Sequence, residues 1–196
     1  MNVFSQFVLF VAAVAAVFPV LIDTGDAFER QEYDFCGEVS VSIMLGSLGE
    51  KTGQHAVHEK IFGLPRGSRG AYSGEIVEAL RQRGYGLSVY EDFSHASRES
   101  AASVAGPVLE EIKTEVAGGR AVFTAWYPWE SVSGRTAHFS VVTGIYGEGV
   151  IVSDPRFADR MLFIPDREFA ETLPVKSLDD GTWGFFHFTM DGRSAR

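Results

Sequence analysis

The feature that most constrains this chain is its single cysteine, Cys36. It lies in the run Gln-Glu-Tyr-Asp-Phe-Cys-Gly-Glu-Val-Ser-Val-Ser-Ile-Met-Leu-Gly-Ser-Leu, from Gln31 to Leu48. Behind Cys36-Gly37, residues Val39, Ile43, Met44 and Leu48 recur at helical spacing, which predicts a helix with one apolar stripe against a core. Cys36 then stands at or just before the helix N-terminus, where orphan backbone N–H groups and the positive end of the dipole favour an anion. A thiol so placed loses its proton more readily than a free one, and the thiolate is the nucleophile. Asp34 and Glu38 oppose that ionisation, so a cationic partner is required, and His138 is the candidate. The competing role for a lone cysteine is that of a small buried hydrophobe. The glutamine ahead, the glycine behind and the helix start favour a reactive thiol instead.

At 196 residues the chain is long enough for one domain with a substantial core. A net charge of −9 argues against nucleic acid as a partner, since phosphate recognition needs a basic surface. One cysteine excludes an intrachain disulfide. Near the start, Phe7 to Ile22 is an uninterrupted apolar stretch. It is shorter than the roughly 20 residues of a spanning helix and slightly longer than a usual signal-peptide core. Met1 to Gln6 carry no Lys or Arg, whereas Gly25-Asp26-Ala27 offers small residues where a signal peptidase reads. Residues 1–27 are therefore read as a signal peptide cleaved after Ala27 or as a retained membrane anchor, and 28–196 as the folded domain. Export to a periplasmic or extracellular location is expected, with membrane association through Phe7–Ile22 if the segment stays.

Further along, Thr52 reads as the N-cap of a helix through Phe62, ended by Gly63-Leu64-Pro65. Ser73 caps a third helix with Ile76, Val77 and Leu80 inward and Gly84 at its end. Tyr85 to Glu91 alternates as a strand, and a helix around Val108 to Val116 stops at Gly118-Gly119. The second half turns to strands: Arg120–Tyr127, Ala137–Tyr146, Val150–Ser153, Arg160–Ile164 and Trp183–Met190, with a helix starting at Pro165. Helices first and antiparallel strands afterwards make an α+β domain.

Four residues can assemble one site: Gln31, Cys36, His138 and Asp154. A cysteine nucleophile needs a base that holds the thiolate as an ion pair and later protonates the leaving group. It also needs a group that orients the imidazole, and donors for the oxyanion. His138 opens one arm of a predicted hairpin and Asp154 ends the other, and the turn at Gly147-Glu148-Gly149 brings both to the same open end. Gln31 and the backbone N–H of Cys36 are placed to face the oxyanion.

The order Gln31…Cys36-Gly37, Ala137-His138-Phe139-Ser140-Val141-Val142 and Val152-Ser153-Asp154-Pro155 resembles the bacteriocin-leader-processing cysteine peptidases of the papain-like clan. The downstream Phe163-Ile164-Pro165…Glu168-Phe169 is similar too, so the likeness runs from about Gln31 to Leu173. The resemblance implies a papain-like fold with N-terminal helices packed on a C-terminal antiparallel sheet. It implies Cys36 as nucleophile, His138 as base, Asp154 as orienter and Gln31 in the oxyanion hole, acting on a peptide or protein substrate such as a short leader, without metal or cofactor. Two departures stand out. Many members follow Cys-Gly with a small residue or proline, where this chain has Glu38, and founding members precede an ATPase, for which this chain has neither room nor a phosphate loop. It resembles the stand-alone, exported branch.

Two rivals stay open at this point: γ-glutamyl transfer of the phytochelatin-synthase type, and a non-catalytic module that holds a leader peptide in the same cleft. His55 and His58 are read as a solvated helix face and not as metal ligands, for want of a completing ligand set. Trp126 and Trp129 are read as walls of a substrate cleft or as packing, and Asp179-Asp180 as a solvated turn.

Overall fold

A computed structural model of the chain describes residues 19–27, 29–128 and 137–193. The first of these segments begins with a short strand, β1 (Val20–Leu21). The helical half follows: α1 (Cys36–Ser47), α2 (Gln54–Ala56) running into a π-helical turn over Val57–Ile61, and α3 (Ser73–Gln82). Then come β2 (Tyr85–His95), α4 (Arg98–Ala102) and α5 (Ala105–Ala117). The strand-rich half holds β3 (Val122–Trp126), β4 (His138–Ile145), β5 (Gly149–Ser153) and β6 (Leu162–Pro165). It ends with α6 (Asp166–Thr172), β7 (Val175–Lys176) and β8 (Trp183–Arg193).

The strands form one antiparallel sheet in the order β2-β8-β3-β4-β5-β6, with β1 paired to β4 and β7 to β8. The sheet has two buried faces. On one, Phe123, Ala125 and Val141 meet α1, α3 and the π turn through Val39, Ile43, Ile76, Leu80 and Val57. On the other, Val122, Trp126, Val142, Val152 and Ile164 meet α5 and α6 through Leu109, Ile112 and Phe169. Helices on both faces and antiparallel pairing throughout give the expected α+β class, with the strands Tyr85–Glu91 and Trp183–Met190 continuing to His95 and Arg193.

The expectation of a single apolar stripe on the cysteine helix is corrected. Every residue from Gly37 to Leu45 is buried. The helix is built largely of small and apolar residues, and its polar Glu38, Ser40 and Ser42 are buried as well, so it is enclosed on all sides over this stretch. Gly46 shows how close the enclosure is: a Cβ there would lie 2.2 Å from the carbonyl oxygen of Thr24 and 2.7 Å from Ala27 Cβ. Residues 20–27 are thus laid across α1 and β4, with Thr24 buried and Ile22 N–H donating to Thr143 O at 2.8 Å.

Caps differ from expectation as well. Gly53, not Thr52, precedes α2, and the first α2 N–H is taken by the Glu29 carboxylate, a partner far away in sequence. Ser73 is the first residue of α3, and the N–H ahead of it, on Tyr72, donates to Glu75 Oε2 at 2.8 Å. Where β4 pairs with β5, the register shifts between Val142 and Gly144, so Thr143 is an extra residue on β4, a β-bulge.

Candidate active site

The site is assembled where the N-terminus of α1 meets the open end of the β4–β5 hairpin. Cys36 is the first residue of α1, half-buried and free. Gly37 lets the helix sit down at this point, since a Cβ would come to 2.9 Å from Ile76 Cδ1 and 3.5 Å from the Phe139 ring. His138 is the first residue of β4 and Asp154 the residue after β5. His138 Nε2 lies 2.8 Å from Asp154 Oδ1, and Cys36 is close enough to the imidazole to shift its protonation. With Nε2 engaged by Asp154, Nδ1 is the ring atom left for the sulfur. The structure therefore brings Cys36, His138 and Asp154 together, with His138 bonded to Asp154 and near Cys36.

The electrostatics follow from this arrangement. Burial alone pushes the His138 imidazole down, but the hydrogen bonds and charges of Asp154 and Cys36 together outweigh it and raise its pKa to about 9. Burial likewise pushes the wholly buried Asp154 carboxyl up, and the hydrogen bonds and charges from His138 and Arg156 reverse that to about 2. A histidine whose charged form is favoured in this way is what a cysteine nucleophile requires of its partner.

Gln31 is near by main chain. Its N–H donates to Pro155 O at 2.8 Å, so its backbone is tied to the residue next to Asp154. Its Nε2 donates to Tyr33 O at 3.1 Å, and its Oε1 is buried without a partner. Tyr33 takes a left-handed φ of 51°, which folds this loop back before the helix. An amide nitrogen has two donors, so one N–H of Gln31 remains for a ligand.

Several side chains around the site were not legible as partners in the sequence. Gln54 is buried and grips the segment that leads into Gln31: its Oε1 accepts from Glu32 N at 2.8 Å, and its Nε2 donates to Arg30 O at 3.0 Å and to Glu29 Oε2 at 3.1 Å. Arg156 donates from its backbone and guanidinium to Asp154. The expectation that His58 lies on a solvated face is overturned, because its ring is 1 % exposed and its Nδ1 is 2.8 Å from Glu38 Oε1. Its Nε2 is 3.0 Å from both Pro65 O and Ser68 Oγ, and its face stacks on Phe35 at 4.5 Å between centroids.

Glu38 is consequently not a solvated charge beside the thiol. It is fully buried, accepts from Ala71 N at 3.1 Å, and burial raises its pKa against the hydrogen bond of His58. His55 remains partly exposed, 3.3 Å from Glu32. Trp126 is not a cleft wall: it is buried beneath the histidine, ring centroids 6.3 Å apart, and its Nε1 donates to Ser140 Oγ at 3.0 Å. Trp129 lies outside the described residues.

Comparison with known proteins gives a family and a fold. The model of a family described as "Peptidase_C39 like family" matches residues 24–171. No curated protein matches the chain. Among solved structures, a double glycine motif protease from an AMS/PCAT transporter, crystallised with a leader peptide, is similar at a TM-score of 0.50 and 18 % identity, covering 84 % of this chain and 91 % of its own. A protein from Bacillus anthracis described as a C39-like peptidase reaches 0.53 at 17 % identity, covering 89 % and 98 %. The peptidase domain of Streptococcus ComA, described as a bi-functional ABC transporter, reaches 0.53 at 12 % identity, covering 85 % and 98 %.

Proposed function

Since the chain belongs to the Peptidase_C39 like family, we propose that it is a thiol peptidase that cuts a peptide substrate through Cys36, His138 and Asp154. The observation that carries this reading is the His138 ring bonded to the buried Asp154 carboxylate with the Cys36 thiol beside it. The Cys36 sulfur, held as a thiolate by the His138 imidazolium, attacks the scissile carbonyl carbon. The oxyanion that forms is met by the Cys36 backbone N–H and the remaining amide N–H of Gln31. Collapse breaks the C–N bond as His138 gives its proton to the leaving amine, and the acyl group stays on sulfur. Water, deprotonated by His138, then attacks the thioester, releasing the acid and restoring the thiolate. A short leader is the favoured substrate, because a similarly folded protease was crystallised with a leader peptide.

We further propose that Val20–Ala27 stays with the domain, because a cut after Ala27 would remove β1 and the residues laid over Gly46. Intact mass of the mature protein from the exported fraction tests this: a chain starting at residue 28 would reject it. The catalytic reading is tested by iodoacetamide. Cys36 of the wild type should be alkylated at neutral pH at least tenfold faster than in His138→Ala, and Cys36→Ala should release no fragment from a peptide library. Equal alkylation rates, or tight peptide binding by both proteins without cleavage, would leave a binding module instead.

A further inference from the structure

We propose that Arg156 is a positioning residue of this site, holding the Asp154 carboxylate charged and fixed in rotation so that Oδ1 stays on His138 Nε2. The proposal rests on the peptidase reading above. Asp154 has no exposed surface, so its charge and orientation depend wholly on its partners. Arg156 supplies most of them. Its backbone N–H donates to Oδ1 at 2.9 Å, its Nε lies 3.1 Å from both Oδ1 and Oδ2, and its Nη2 donates to Oδ2 at 2.6 Å. The backbone bond closes a turn two residues on, and Pro155 between them has a fixed φ. Carboxylate and fork are therefore set on one rigid tripeptide, and that same Pro155 carries the carbonyl on which Gln31 N–H rests.

The guanidinium also balances charge. In the reactive form the thiolate, imidazolium and carboxylate sum to one negative charge in a buried place, which is costly. Arg156 offsets that negative charge, and its own permanent charge cannot be titrated away. A carboxylate without that fork has one charged partner fewer. It takes up a proton at higher pH, ceases to support the imidazolium, and the thiolate loses its counterion.

The test is the pH profile of Cys36 alkylation in the full chain, which needs no knowledge of the substrate. Arg156→Gln should move the acid limb of that profile upward, leaving the rate at pH 4 about tenfold below the wild type while rates at pH 7 differ far less. Arg156→Lys, which keeps charge but not the fork, should fall between the two. If the Gln variant does not fold, the Lys variant decides: a shifted limb supports the proposal and a profile superposed on the wild type overturns it. Superposed Gln and wild-type profiles also overturn it, while a wild type that is fast and dependent on His138 keeps the peptidase reading intact. A wild type no faster than His138→Ala would remove both.

Discussion

Glu38 shows how one residue can change meaning between sequence and fold. Beside a cysteine in sequence it reads as a charge that would oppose a thiolate. In the structure it turns away from the sulfur into the protein, takes the backbone N–H of Ala71 and the ring of His58, and so fastens the loop after Pro65 to the start of α1. Replacing it by Ala would leave His58 Nδ1 and the Ala71 N–H buried without the carboxylate they share. Glu38→Ala should therefore lose about 3 kcal/mol of unfolding free energy in urea. Glu38→Gln, which can still accept from Ala71 and meet the ring, should lose clearly less. Cys36, His138 and Asp154 were legible because each carries a short local signature and the hairpin turn links the last two. Gln54, His58 and Arg156 were not, since Gln54 and His58 find their partners across long sequence separations. Arg156 looks like ordinary turn composition until the carboxylate beside it is known to be buried.

At the scale of elements, strand and helix identities in the second half followed from β-branched and aromatic runs between glycine and proline stops. Boundaries moved where tertiary contacts took over from local caps, as at α2, whose first N–H is satisfied by Glu29. The short β1 was hidden inside an apolar run whose composition also suits export, and only its pairing with Ile145 and Gly144 separates Val20–Leu21 from the rest. The contact of this segment with α1 gives a sharp expectation. Gly46→Ala would drive a methyl group into the Thr24 carbonyl, a backbone atom that cannot swing aside. The cost should be about 1–3 kcal/mol, as for other overpacked cores, read as a lower melting temperature. Gly74→Ala, in α3 with open space at its Cβ, should instead be neutral or mildly stabilising.

For the molecule as a whole, two buried histidines pull stability in opposite directions with pH. His138 has its pKa raised to about 9, so its contribution is complete below the usual 6.5 and is lost as pH climbs through 9. His187 is buried against Tyr90, rings stacked at 4.8 Å, and burial lowers its pKa to about 4. Its contribution is complete above 6.5 and is lost as pH falls toward 4. Raising pH from 6.5 to 9 should cost the wild type on the order of 3 kcal/mol more than it costs His138→Gln. Lowering pH from 6.5 to 4 should cost the wild type more than His187→Gln by a similar amount. Urea midpoints across that range check both. Among the described residues no helix is long and apolar enough to cross a membrane.

The extra residue at Thr143 has a consequence for chemistry that is a matter of odd and even. On the strand side of it that leads to the site, Val142 faces Val152 and Val141 faces Ser153, so Ser140 falls opposite Asp154, and His138, two further on, shares their side of the sheet. Carried straight from the tip, where Ile145 faces Val150 and Gly144 faces Ile151, the same count would set Val141 opposite Asp154 and turn His138 to the reverse side. Deleting Thr143 would keep that match, since Val142 would then adjoin Gly144 and still face Val152; imidazole and carboxylate part only if Thr143 stays and is drawn into the ladder opposite Val152. In this protein the acid–base pair is a product of counting along a strand.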